Sequence, residues 1–164
     1  MGPSAGGVEA PRGALKISLP AVDLPAYARS NLIASADGPN RVLVDDNHRW
    51  ASPPGESVTL ALAQHLESKL DATVLVQPHP RGFAAELVID VSFDRFLRTA
   101  SGAAEVHGRA VIVRSRTQSL EVVRFTITAP TSGDGYVGFM VSMDRALAQV
   151  AALVATRVEN MPPS

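Results

Sequence analysis

The stretch Glu86-Leu87-Val88-Ile89-Asp90-Val91-Ser92-Phe93 decides the fold. Leu87, Ile89, Val91 and Phe93 fall on one side of an extended chain, Asp90 and Ser92 on the other. That period of two predicts a strand with one face in a core and the other turned to polar surroundings. Phe93 and Phe96 are three apart, so the alternation slips and a bulge is predicted near Asp94. Two more strands are predicted downstream, over 105–114 and 120–128, around the turn Arg116-Thr117-Gln118-Ser119. Upstream, 73–77 reads as a short β-branched strand, and 14–23 as an alternating strand ending near Pro20. Residues 31–35 and 41–44 flank Ala36-Asp37-Gly38-Pro39-Asn40, a dense turn signal, and read as a hairpin.

A half-apolar sheet needs a second layer, and two helical stripes supply it. Over 57–70, Val58, Leu62, Leu66 and Leu70 recur every four residues. Over 136–158, Val137, Met140, Leu147, Ala151, Val154 and Val158 form a second apolar stripe, at spacings of three, four and seven. The expected fold is α+β: a mostly antiparallel sheet with two long amphipathic helices packed on one face.

Composition narrows the function classes. The chain has 164 residues, 46% hydrophobic and 19% charged, which suits one packed domain. We read 1–13 as a flexible leader and 14–164 as a single domain. Fifteen basic residues against sixteen acidic ones give a net charge of −1. No strong basic field is available for nucleic acid, so none is expected as a partner. The absence of cysteine excludes disulfides, thiol nucleophiles and thiolate zinc sites on this chain. No run approaches 18 consecutive apolar residues, so no membrane-spanning helix is predicted.

The polar residues offer little catalytic spacing. His48, His65, His79 and His107 fall in four different segments, and none pairs at helical metal-ligand spacing. Asp45-Asp46-Asn47-His48 is the densest set of hard ligands. It lacks the glycine and the alternating oxygens of a calcium loop, so it reads as a polar turn after a strand. A hydrolase assembled from Asp46 and His48 would need a nucleophile–base pair that the spacing does not provide. No metal, cofactor or enzymatic activity is expected. Six arginines (Arg95, Arg98, Arg109, Arg114, Arg116, Arg124) could make one basic patch for anionic headgroups or a protein, or a solvated strand face.

Two segments carry a family resemblance. Val22-Asp23-Leu24-Pro25-Ala26-Tyr27 is similar to the V-x-L-P-x-Y-L segment of ABC-type transport auxiliary lipoproteins. This is the family of paraquat-inducible protein C, which accompanies MCE (mammalian cell entry) lipid-transport systems. Val42-Leu43-Val44-Asp45-Asp46-Asn47-His48-Arg49-Trp50-Ala51 resembles that family's strand followed by Arg-Trp-Ala. The order of the remaining elements also fits. Ala28 stands where the family usually has Leu, and the family's lipidated cysteine is missing from this sequence; residues 1–7 are taken to replace it.

The resemblance implies a non-enzymatic periplasmic domain, anchored to the outer membrane by an N-terminal lipid in the natural lipoprotein and docked onto an MCE-domain protein. It leaves a homo-oligomer open. Candidate interaction residues are Leu24, Pro25, Tyr27, Arg49 and Trp50. Tyr27 reads either as part of a docking knob or as a residue packed over a sheet edge and capping it. Trp50 reads either as a docking residue or as packing for the loop on the first helix. Direct binding of a lipid or other apolar ligand in a helix–sheet groove is the alternative function. Met140 and Met143 would line that groove; otherwise Met140 fills the core and Met143 is exposed.

Overall fold

Leu87–Arg98 is the longest strand of a seven-stranded sheet, and the rest of the chain is arranged around it. The elements run β1 (Leu15–Leu19), a 3-10 turn (Ala26–Ala28), β2 (Leu32–Ala36), β3 (Val42–Arg49), α1 (Pro54–Lys69), β4 (Ala72–Val76), β5 (Leu87–Arg98), β6 (Ala104–Arg114), β7 (Leu120–Ala129) and α2 (Gly135–Glu159). The computed structural model describes residues 15–28, 32–36, 42–49, 54–131, 133 and 135–161, with backbone alone for Leu32 and for 43–49. The leader expected at 1–13 and Trp50 lie outside the described residues.

The sheet is mixed, which corrects the mostly antiparallel expectation. Three pairings are antiparallel: β2 with β3, β5 with β6, and β6 with β7. Three are parallel: β1 with β4, β1 with β5, and β2 with β5. Side-chain alternation reports which face of a strand is covered, and it is silent about the direction of the neighbouring chain. β1 and β4 are joined through the hairpin and α1, a connection long enough to return the chain parallel.

β1, Asp23 and β2 lie along one edge of β5. Ile17 pairs with Leu87, Asp23 bridges to Ser92, and Ser35 pairs with Arg98. β6 occupies the other edge along its whole length, with a register shift between Phe93 and Arg95, at the predicted bulge. Gly108 of β6 sits opposite that bulge. A Cβ there would collide with the Ser92 carbonyl oxygen and approach the Phe125 ring to 3.0 Å, so glycine is required by the close approach of the strands.

The core lies between the sheet and the two helices. Leu87, Ile89 and Phe93 of β5 and Val106, Ala110 and Ile112 of β6 meet Phe139, Leu147, Val150 and Val154 of α2. Val58, Leu62 and Leu66 of α1 complete the layer toward β4. α2 is long and apolar enough, by length and composition, to cross a bilayer, and half of its most apolar stretch is buried inside this fold.

The polar turn expected at Asp45-Asp46-Asn47-His48 is part of β3. Leu32 pairs with Arg49 and Ile33 with Asp45, so Asp46, Asn47 and His48 are extra residues at an irregularity in the ladder.

Candidate functional site

The Leu24–Tyr27 corner is built into the sheet edge. Leu24 is 3% exposed and Ala28 2%. The backbone of Asp23 is held on both sides: its N–H donates to Val91 O at 3.0 Å, and its carbonyl accepts from Phe93 N–H at 2.8 Å. Just upstream, the Val22 N–H donates to Thr59 Oγ1 of α1 at 3.0 Å. The 3-10 turn then carries the chain away from β5, and Tyr27 reaches back so that its hydroxyl accepts from Phe96 N–H at 3.2 Å. Pro25 and Tyr27 are half-buried, which leaves a small surface at this corner. Arg49 closes β3, and its side chain, like Trp50, is outside what is described.

Met140 and Met143 lie between the helices, not between helix and sheet. With Ser57, Val58, Ala61, Asp144 and Leu147 they line an open cleft of about 130 Å³ between α1 and α2. Met143 is 3% exposed and Met140 half-buried, the reverse of the exposure expected for the pair outside a groove. Across this seam the His65 ring nitrogen Nε2 lies 3.0 Å from Asp144 Oδ1. Among the described residues no three His, Asp or Glu side chains gather as a metal-binding set.

The six arginines divide into separate places. Arg95 pairs with Glu105 at 2.6 Å, and Glu105 also lies 3.4 Å from His107 Nε2. Arg98 stacks on the Tyr136 ring, its guanidinium carbon 4.8 Å from the centroid. Arg114 ends β6, and Arg116 lies in the β6–β7 turn. Arg109 and Arg124 stand directly opposite each other on β6 and β7, both exposed, on the sheet face away from the helices. Neither makes an ion pair or side-chain hydrogen bond among the described residues. Beside them on the same face, Val111 lies opposite Val122 and Val113 opposite Leu120, with Leu120 57% and Val122 36% exposed.

The sequence reading named both arginines without opposing them. Counting outward from a turn at 116–119 would have set Arg109 opposite Thr126; the ladder instead closes at Arg114 and Ser119, and that register opposes Arg109 to Arg124. The surface is therefore aliphatic, with a pair of guanidinium groups beside it that no described residue compensates, at the end strand β7 of the described sheet.

The family model of the ABC-type transport auxiliary lipoprotein component matches residues 2–155, and the chain belongs to that family. An uncharacterized protein of known crystal structure is similar over 88% of this chain and 92% of its own, at 21% identity and a TM-score of 0.77. A Xanthomonas campestris protein of the DUF330 family is similar over 91% of this chain and 89% of its own, at 17% identity and a TM-score of 0.71. PelC of Paraburkholderia phytofirmans, a dodecamer, is similar over 85% and 88%, at 15% identity and a TM-score of 0.53. At these identities the likeness is one of fold. No protein of curated function matches the chain. As a member of a lipoprotein family, the chain is assigned to a membrane-anchored, extracytoplasmic setting and to an ABC-type transport system.

Proposed function

We propose that the chain is a non-enzymatic docking domain of an MCE-type lipid-transport system, held at the outer membrane and facing the periplasm. Its task is to present a rigid surface to the MCE-domain protein of the assembly. Family membership over residues 2–155 carries this reading. An exposed aliphatic patch next to unpaired arginines supports it, because uncompensated charge beside apolar surface suits recognition better than stability. The dodecameric PelC neighbour supports a homo-oligomer built on this fold.

Co-purification of the full-length lipidated protein with its MCE-domain partner tests the proposal. Retention of the partner through gentle extraction is the expected result. Absence of any association, under conditions that keep the partner assembly intact, overturns it. The cleft at Met140 and Met143, at about 130 Å³, is smaller than the roughly 300–1,000 Å³ typical of small-molecule sites, and direct lipid carriage is not proposed.

A further inference from the structure

Among the described residues β7 is an edge strand, paired with β6 alone. The Arg114 N–H donates to Ser119 O at the β6–β7 turn. Antiparallel ladders alternate, so the pairs that exchange hydrogen bonds are those in step with it: Ile112 with Glu121, Ala110 with Val123, Gly108 with Phe125. Leu120, Val122, Arg124, Thr126 and Thr128 therefore turn their peptide groups away from β6. β7 pairs with no second strand among the described residues. Arg157 Nη1 reaches the Val122 carbonyl at 3.3 Å, and no other side-chain bond to this row is found among the described residues.

Edge strands are ordinarily blunted by shortness, proline, lysine or a bulge. β7 has ten residues, an unbroken register, and no proline or lysine. β4, at another end of the sheet, is blunted: it has five residues, and Glu67 of α1 takes the Val74 N–H at 2.9 Å.

The outward-facing row also carries the recognition chemistry. Arg124 and Arg109 form a non-hydrogen-bonded pair, the closer kind, with Cα atoms about 4.5 Å apart. Like charges so placed are destabilising. The carboxylates nearby are engaged or offset: Glu105 serves Arg95 and His107, Glu121 pairs with Arg157 at 3.1 Å, and Asp90 stands opposite Val111 in the next row. On the helix side of the edge, Ile127, Gln149, Ala152, Leu153 and Thr156 line a cleft of about 300 Å³.

We infer that the free edge of β7 receives an extended segment of a partner protein as an added strand. Its carboxylates would lie over Arg109 and Arg124, and its alternate, apolar side chains in the cleft beside α2. This rests on the reading of the chain as a docking domain and names where and how it docks. A lipid surface would answer the arginines and leave the peptide groups of the edge unpaired. A second copy of β7 would bring Leu120, Val122, Arg124, Thr126 and Thr128 against the same row, with no acid among them. An acidic and apolar strand answers both demands.

The test uses the full-length lipidated protein and its MCE-domain partner. Thr126→Pro removes one outward N–H and no bond of the β6–β7 ladder. R109E/R124E reverses the exposed charge. Thermal melts establish that both variants fold. Each is expected to retain at least tenfold less partner than the unmodified protein, while Val137→Ser, at the far start of α2, retains it fully. Undiminished capture by both variants overturns this inference and leaves the docking function standing. Absence of capture by the unmodified protein overturns the docking function itself. Two other results overturn the assigned occupant. One is binding to phosphatidylglycerol vesicles that R109E/R124E abolishes and Thr126→Pro spares. The other is self-association by light scattering that Thr126→Pro abolishes.

Discussion

The hydroxyl of Tyr27 accepts the hydrogen bond of the Phe96 amide across 3.2 Å, between residues 69 apart in sequence. It does so where the chain beside β5 has left the sheet as a 3-10 turn and the bulge has re-aimed the β5 backbone. A side chain thus takes the place of a strand partner for one peptide group.

Tyr27→Phe keeps the ring and removes the acceptor. Removing this acceptor from a partly buried N–H costs about 1–2 kcal/mol. The melting temperature should fall by roughly 2–8 °C for a domain of this size. Amide exchange at Phe96 should quicken more than at its neighbours in β5. An unchanged melt together with unchanged exchange would show that water serves this amide equally well.

Thr59 holds the segment before that corner to α1. It is 1% exposed; its hydroxyl donates to the Gly55 carbonyl at 2.7 Å and accepts from Val22 N–H at 3.0 Å. Thr59→Val has nearly the same shape and leaves the Val22 amide buried without a partner. A loss of about 2 kcal/mol is expected in urea unfolding. Thr59→Ser, which restores the hydroxyl, should recover most of it.

Gly108→Ala is expected to be among the most damaging single-methyl changes. The added carbon meets the Ser92 carbonyl oxygen, which is backbone and cannot rotate aside. Overpacking of this kind costs about 3 kcal/mol or more. Equilibrium unfolding measures it, and a variant within 1 kcal/mol of the parent (about a fivefold change in the folding constant) would mean that the β5 bulge relaxes freely.

Glu67→Ala should uncover the β4 edge. The Val74 amide loses its carboxylate acceptor, and its hydrogen exchange should speed up by about tenfold for each 1.4 kcal/mol lost. Glu67→Gln retains a carbonyl oxygen and should stay near the parent. Equal protection in both variants would place the protection of Val74 elsewhere.

Much of the fold was legible because local patterns report faces. The alternation of Leu87, Ile89, Val91 and Phe93 placed the core side of β5, and the Phe93–Phe96 spacing located its bulge. Strand direction was not legible: Leu15-Lys16-Ile17-Ser18-Leu19 would alternate in the same way beside an antiparallel neighbour. The burial of Met143 depended on how α1 and α2 meet, which neither helix encodes by itself. The role of Tyr27 was posed as two alternatives because its acceptor position depends on Phe96, far along the chain. The arginine pair was readable one residue at a time, and its opposition only through hairpin register.

β1 has a mechanical consequence for a protein whose family hangs from a membrane. The strand lies between β4 and β5, parallel to both, with Leu15 to Leu19 laddered to Ala72 to Val76 on one side. Take a tug on the chain ahead of Leu15 that is directed along the strand axis. It loads these bonds together in shear, and they resist as a set where a hairpin pulled from its open end would unzip one bond at a time.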